Sequence, residues 1–199
     1  MPVTLVLTRN PLREFRHGSQ SGRFGELIAV KGPKVTAARL ASGSGSGSTG
    51  GDAGSSRIPV GNGTLELSMS EGAIEEVKRF TTIERFHADS GRGFYVQLHP
   101  KPEPYGITYE VGNSAVRELR AGHDGRCFRV HGGKPGPERG ILIHEAPHVG
   151  WLIGCISPRP LNNFKVEFDN AAGNPSFQSM NELFRFVGAP RADLFVLDW

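Results

Sequence analysis

Short apolar segments separated by turn residues are the dominant pattern along this chain. Each segment is rich in Val, Ile, Leu or aromatic residues and is bounded by Gly, Pro, Asn or Asp, which is typical of β-strands. The chain contains 27 Gly and 14 Pro, as a fold with many turns requires. The segments predicted as strands are Val3–Thr8, Phe24–Val30, Val35–Ala41, Gly63–Leu67, Phe94–His99, Ile107–Val111, Cys127–Val130, Gly140–His144, Phe164–Phe168 and Leu194–Leu197.

Two further segments have the spacing of amphipathic helices. The first begins with a capping box, Ser68-Met69-Ser70-Glu71, and the second begins at Pro175 and ends at Gly188. The apolar stripe of the first is Ile74, Val77, Phe80 and Ile83, and that of the second is Phe177, Met180, Leu183, Phe184 and Val187. Together with the strands, these helices predict a β-rich α+β fold, a mixed sheet or sandwich of short strands with two helices.

The length of 199 residues suits one domain, and we predict a single domain over residues 1–199. Residues 42–55 are predicted to be a flexible loop within it, because the run SGSGSGSTGG has no side chains that pack. Strand patterns continue on both sides of the loop. The alternation is typical both of a natural loop insert and of a designed linker, and the sequence leaves both open.

The charge balance narrows the class of partner. Lys and Arg exceed Asp and Glu by 23 to 20, a net charge of +3, which suits an anionic partner such as a cell-wall polymer. No basic cluster is interleaved with aromatic residues, so no nucleic-acid partner is expected. No segment approaches the ~20 apolar residues of a membrane span, and the first residues lack the pattern of a signal peptide. We therefore expect synthesis in the cytoplasm without a signal peptide.

The segment from His144 to His148 reads His-Glu-Ala-Pro-His, which has the H-E-x-x-H spacing of zinc peptidases. That motif binds zinc because its two histidines share one face of a helix. Pro147 lies inside the motif and disfavours a helix there. A zinc hydrolase is therefore the less favoured alternative, and we assign neither a metal nor another cofactor.

A second arrangement in the same stretch is that of a cysteine enzyme. Cys155 follows Gly154 and comes eleven residues after His144, which lies at the end of a predicted strand. His144 would be the base for the thiol, and Gly154 would let the backbone approach a substrate, so that the Cys155 amide could stabilise an oxyanion. The other cysteine, Cys127, is assigned to the core.

The order of these features resembles the L,D-transpeptidase (YkuD-type) enzymes. A Gly-Ile-x-Ile-His sequence followed at this interval by Gly-Cys-Ile is similar to a small branch found in phage lysis regions and bacterial secretion loci. The similarity extends to the Ile58-Pro59-Val60-Gly61 element, to an N-terminal hairpin, and to a closing helix and strand. Residues 68–135 match poorly, and Ala146-Pro147, Trp151 and Ile153 depart from the pattern. The third catalytic group is therefore either absent or supplied by His148, His131 or a backbone carbonyl.

The resemblance implies a function in the bacterial cell wall. Cys155 and His144 would act on the tetrapeptide stems of peptidoglycan as an L,D-carboxypeptidase or an L,D-transpeptidase. Arg159 is the candidate clamp for the substrate carboxylate, and His148 and Trp151 are candidates for the binding surface. The site of action would be the periplasm, with the protein delivered as an antibacterial effector or a lysis protein, and an effector would require an immunity protein. The competing hypothesis is a non-enzymatic wall-binding module in which the Cys–His pair is vestigial.

Overall fold

The computed structural model describes residues 1–18, 20–42, 54–61, 63–86, 98–119, 124–132, 140–152, 154–168 and 174–199. Most of the loop predicted to be flexible lies outside these residues. Within them, the elements are β1 (Val3–His17), β2 (Gln20–Lys31), β3 (Val35–Ser42), β4 (Ser55–Val60), β5 (Gly63–Met69), β6 (Glu76–Phe86), β7 (Tyr105–Glu110), α1 (Ser114–Arg117), β8 (Cys127–Val130), β9 (Leu142–Ile143), a 3₁₀ turn (Val149–Trp151), β10 (Ile156–Arg159), α2 (Pro175–Val187) and β11 (Arg191–Asp198).

Eight of the strands close into a barrel in the order β1-β11-β7-β8-β9-β10-β6-β2, and the remaining three form a separate sheet in the order β3-β5-β4. The β-rich α+β class predicted from the sequence is confirmed. The closure of the main sheet into a barrel is a feature that the prediction of a mixed sheet or sandwich did not include.

The N-terminal hairpin and the closing elements occur where the sequence predicts them. β1 pairs with β2 in an antiparallel register from Val3 opposite Lys31 to His17 opposite Gln20, and β11 pairs with β1 in parallel. α2 begins after Asn174, whose side chain accepts a hydrogen bond from the Phe177 N–H at 2.9 Å. It ends at Gly188, which has a left-handed φ of +55° that favours glycine.

One apolar core fills the barrel, and α2 contributes to it. The inward residues of the strands alternate with outward ones, and α2 packs its apolar stripe against them. The outward side of the hairpin packs against the three-stranded sheet in a second cluster, which includes Ile28 and Val30 from β2 and Leu65 and Leu67 from β5. Apolar burial on both sides of the hairpin explains the continuous apolar run Leu27–Val30 in β2.

The prediction of a helix after the capping box at Ser68 is wrong. Residues up to Met69 complete β5, and all of the predicted helical stripe except Ile74 lies in β6 instead. Five consecutive residues of β6, from Phe80 to Glu84, are buried, so the alternation that marks a half-exposed strand is missing. The β-branched residues Thr81, Thr82 and Ile83 favour the strand.

Other segments also differ from the prediction, and β4 and α1 have no counterpart among the predicted strands and helices. Phe164–Phe168 is not a strand; only an isolated bridge joins Glu167 to His148. Most of Phe94–His99 lies outside the described residues, and its described end is not a strand. β10 was not predicted, because it contains Pro158, a residue that is rare inside sheets. Beyond Ile156, β10 pairs with β6 alone, so the missing donor of Pro158 is accommodated on its unpaired side.

Candidate active site

β9 and β10 bring His144 and Cys155 together from the two ends of a loop. His144 directly follows β9, and Cys155 directly precedes β10. The two strands pair in parallel with Ile143 opposite Ile156, and the His144 N–H donates to the Ile156 carbonyl at 3.0 Å. The two predicted catalytic residues therefore lie on neighbouring strand ends.

Strand alternation places both side chains on the outer side of the barrel. Ile143 and Ile156 belong to the core inside the barrel, so the residues next to them point to the opposite side. Cys155 accordingly packs against two outer apolar clusters, one that contains Ile83 and one that contains Cys127. This shared side of the sheet is the geometric requirement for a Cys–His pair.

The imidazole of His144 is oriented by its own backbone. Its Nδ1 lies 2.6 Å from the carbonyl oxygen of Glu145, and only 4% of the residue is exposed. A carbonyl oxygen can only accept a hydrogen bond, so Nδ1 carries the proton and donates it. In the neutral ring, Nε2 then carries the lone pair, as a general base requires. A backbone carbonyl, one of the candidates for an orienting group, thus contacts the ring.

Cys155 is partly exposed, but its sulfur is surrounded by apolar side chains. Burial raises the pKa of its thiol to about 11, and a hydrogen bond from the Leu142 backbone acts in the opposite direction. The thiol is therefore neutral at pH 7. Attack by this sulfur requires transfer of its proton to a base at the moment of reaction, rather than a thiolate formed beforehand.

Gly154 has the backbone conformation that its predicted role requires. Its φ is +75°, in the left-handed region where a β-carbon is strained, and the residue is buried. The turn at Gly154 sets the direction of the peptide group that ends in the Cys155 N–H. An oxyanion next to the sulfur would use that N–H as a donor.

The His-Glu-Ala-Pro-His segment is not a helix. Residues 144–147 form no regular element, and His148 caps the 3₁₀ turn, with its Nδ1 accepting from the Gly150 N–H at 3.1 Å. The two histidines therefore lack the one-face geometry that the zinc motif needs. Within the described part of the chain, no three His, Cys, Asp or Glu side chains are grouped as metal ligands.

The predicted binding residues lie at very different depths. Trp151 is 40% exposed on the 3₁₀ turn, and its ring is 5.9 Å from that of His148, so the two rings form a pair at the surface. Arg159 is fully buried. Its guanidinium lies 4.7 Å from the ring centre of Phe168, and burial lowers its pKa to about 9.

The guanidinium of Arg159 is anchored at one nitrogen only. Nη1 donates to the Ala146 carbonyl at 3.0 Å and to Ser157 Oγ at 3.2 Å. Nε and Nη2 have no hydrogen-bond partner among the described residues. These two nitrogens form the edge that binds a carboxylate through two parallel hydrogen bonds.

Two buried serines that sequence reasoning missed complete the site. Ser176 Oγ accepts from the Ala146 N–H at 3.0 Å and lies 2.8 Å from Ser157 Oγ. Both serines are fully buried. A serine in the first turn of a helix usually serves the helix itself, so no signal in the sequence distinguished Ser176.

The remaining candidates have local roles. Glu145 is buried and lines a small cavity together with Arg126 and residues of α2. Cys127 is fully buried, which confirms its assignment to the core, and burial raises the pKa of its thiol to about 12. His131 is exposed and lies 2.7 Å from the Thr108 hydroxyl, through its Nε2.

Comparison with protein-family models, with curated proteins and with solved structures found no match to this chain. Among the described residues, none of the helices has the length and hydrophobicity that crossing a membrane requires.

Proposed function

We propose that this chain is a peptidoglycan stem-peptide L,D-carboxypeptidase or L,D-transpeptidase with Cys155 as nucleophile and His144 as base. One observation carries the proposal. The parallel pairing of β9 with β10 puts the two residues on the same side of neighbouring strand ends, and the Glu145 carbonyl holds His144 in the tautomer of a base. The resemblance of the Ile-His and Gly-Cys-Ile sequences to L,D-transpeptidases supplies the substrate class.

The first half of the reaction forms a thioester. Sγ of Cys155 attacks the carbonyl carbon at the L-centre of the diamino acid, while its proton passes to Nε2 of His144. The Cys155 N–H, directed by Gly154, donates to the developing oxyanion. The C–N bond to the terminal D-Ala then breaks, and His144 returns the proton to the departing amine.

The second half depends on the acceptor. Water or an amine attacks the thioester carbon and gives a proton to His144. The C–S bond breaks, and the sulfur recovers that proton as a thiol. Water gives hydrolysis, whereas an amine gives transpeptidation or exchange of the terminal D-amino acid. The reaction needs no cofactor.

The substrate-binding roles follow the positions of the side chains. Trp151 and His148 would form the rim next to Cys155, where a stem peptide arrives from the outside. Arg159 is proposed as the clamp for a carboxylate, through its Nε–Nη2 edge. Because Arg159 is fully buried, a carboxylate reaches that edge only when the side chains that cover it move aside.

The resemblance also suggests the biological setting. We propose an antibacterial effector or phage lysis protein that acts in the periplasm, with an immunity protein in the producing cell if it is an effector. The modest net charge of +3 suits an anionic wall polymer as the partner and gives no reason to expect a nucleic-acid partner.

One observation favours a second candidate function, a wall-binding module without activity. The pKa of Cys155 is raised to about 11, as in an inert buried thiol, and not lowered as in many reactive cysteines. In that case the exposed Trp151 would serve as a stacking surface for wall sugars.

Digestion of purified disaccharide-tetrapeptides, followed by mass spectrometry, separates these functions. We expect loss of D-Ala, or its exchange for added D-methionine, with the wild type and with Cys127→Ala but not with Cys155→Ala. Cys127 is the matched control because it is the other cysteine of the same outer cluster. An unchanged tetrapeptide and pentapeptide would reject the enzyme. Sedimentation with isolated cell-wall sacculi, weakened by Trp151→Ala, would then support the binding module.

A further inference from the structure

The peptide group between Glu145 and Ala146 is held at both of its polar ends. Its carbonyl oxygen accepts from His144 Nδ1 at 2.6 Å, and its N–H donates to Ser176 Oγ at 3.0 Å. Ser176 lies thirty residues further along the chain, in the first turn of α2. A side chain on a rigid helix therefore sets the plane of the group that orients the candidate base.

Ser176 is in turn fixed by a chain of buried groups. Arg159 Nη1 donates to Ser157 Oγ at 3.2 Å, and Ser157 Oγ lies 2.8 Å from Ser176 Oγ. A guanidinium has no acceptor, so Ser157 accepts from Arg159 and its own hydroxyl proton is available to Ser176. All three side chains are fully buried, so bulk water cannot replace these hydrogen bonds.

The same guanidinium also holds the next peptide group. Arg159 Nη1 donates to the Ala146 carbonyl at 3.0 Å. The peptide group between Glu145 and Ala146 is thus bound by Ser176, and the next one, between Ala146 and Pro147, is bound by Arg159. Loops are normally the mobile part of a site, and here the loop is tied to β10 and α2.

We propose that Ser176 is a positioning residue for His144, held in place by Ser157 and Arg159. Donation of the Ala146 N–H to Ser176 polarises the peptide group and makes the Glu145 carbonyl a stronger acceptor. The proton stays on Nδ1, so that Nε2 carries the lone pair that a general base uses. The catalytic consequence rests on the proposed function, whereas the control of the tautomer does not.

The first test reads the tautomer of His144 without any substrate. Long-range ¹H–¹⁵N correlation spectra of ¹⁵N-labelled protein distinguish a ring protonated at Nδ1 from one protonated at Nε2. We expect the Nδ1–H form in the wild type and a mixture of both forms in Ser176→Ala. Ser176→Thr keeps the hydroxyl and is expected to restore the wild-type spectrum. Ser179→Ala, a buried serine on the same helix, is the matched control and should leave it unchanged.

The second test measures turnover of tetrapeptide stems by the same variants. We expect kcat of Ser176→Ala to fall about 10- to 100-fold with little change in KM, because the misplaced ring affects proton transfer and not binding. Ser176→Thr and Ser179→Ala should stay within about threefold of the wild type, a margin well below the loss expected from misalignment.

The two tests separate the two proposals. An unchanged His144 tautomer in folded Ser176→Ala, as judged by circular dichroism, would overturn the positioning role whatever the turnover. If the tautomer of His144 changes in Ser176→Ala while the wild type leaves all stems intact, the positioning role is supported and the proposed function is rejected. If Ser176→Ala does not fold, the wild-type spectrum still tests the proposal. An Nε2–H form of His144 would contradict the geometry and overturn the positioning role.

Discussion

Arg9, in the middle of β1, and Glu84, near the end of β6, form an almost completely buried ion pair. Arg9 Nη2 lies 3.0 Å from Glu84 Oε2, and the exposed fractions of the two side chains are 1% and 4%. Arg9 Nη1 also donates to the Leu98 carbonyl at 2.6 Å. Glu84 pairs across the ladder with Ile156, the residue after the candidate nucleophile. The ion pair therefore supports the strand that carries the site.

Glu84→Gln is expected to lower the free energy of unfolding by about 3–5 kcal/mol, because it leaves the Arg9 charge buried without its main partner. Urea denaturation measures the loss. Glu66→Gln is the matched control, since Glu66 pairs with two mostly exposed arginines, Arg39 and Arg57, and should cost less than about 1 kcal/mol. Equal losses of unfolding free energy in the two variants would contradict the prediction that burial makes the Arg9–Glu84 pair the more costly one to break.

Alkylation of Cys155 by iodoacetamide is expected to be slow at pH 7 and to rise roughly tenfold per pH unit up to about pH 11. At a pKa of about 11, the thiolate fraction at pH 7 is on the order of 10⁻⁴. Mass spectrometry of the labelled peptide follows the reaction, and Cys155→Ala shows the background from Cys127. A rate that levels off near neutral pH would instead indicate a thiolate–imidazolium pair in the free protein.

Stability is expected to fall as the pH rises above about 9. Burial raises the pKa of Cys127 from 9.0 to about 12, so between these values the unfolded chain has lost a proton that the native protein retains. Fewer protons on the unfolded state make the slope of unfolding free energy against pH negative. The same sign applies to Cys155. Chemical denaturation from pH 8 to 11 should show a shallower slope in Cys127→Ala than in the wild type.

Gly154→Ala is expected to abolish turnover while costing only about 1–2 kcal/mol of stability, because a β-carbon is strained at a φ of +75°. The Cys155 N–H would turn away from the oxyanion. Gly61→Ala is the matched control: its φ is +44°, a β-carbon there would meet no atom within 4 Å, and it lies between β4 and β5. If the two variants have comparable thermal stability and only Gly61→Ala retains activity, the role of Gly154 is supported. Full activity in Gly154→Ala would exclude it.

Arg159→Lys is expected to raise KM for stems with a free terminal carboxylate. Lysine lacks the planar edge that forms two parallel hydrogen bonds, and a hydrogen bond to a charged group is worth about 1.5–3 kcal/mol. Steady-state kinetics with free and amidated stems give the comparison. The wild type should prefer the free carboxylate, and Arg159→Lys should lose that preference. An unchanged preference would show that another cation binds the carboxylate.

Part of the site was predictable because it depends on local sequence. The strand that precedes His144 and the glycine before Cys155 are recognisable from a few neighbouring residues. Pro147 likewise argued against a helical zinc motif, and the segment around it is not a helix. The strand alternation and the capping of α2 were accessible for the same reason. Chain neighbours set these conformations, so a short window contains the information.

Periodicity failed where the surroundings covered both sides of a strand. The spacing from Ile74 to Ile83 matched a helix, but those residues lie in or next to β6, whose middle is buried on both sides. β10 was missed because Pro158 is tolerated only where the strand lacks a second partner, and pairing partners are not visible in a sequence.

The sequence by itself determined the β-rich class, the terminal hairpin, α2 and the identity of a candidate nucleophile and base. Only the tertiary structure decided that the Glu145 carbonyl orients His144, that Ser176 fixes this carbonyl and that Arg159 is buried. It also decided that the thiol of Cys155 is neutral at pH 7. Hydrogen bonds between residues thirty positions apart, and the loss of water around a sulfur or a guanidinium, depend on which elements the fold packs together.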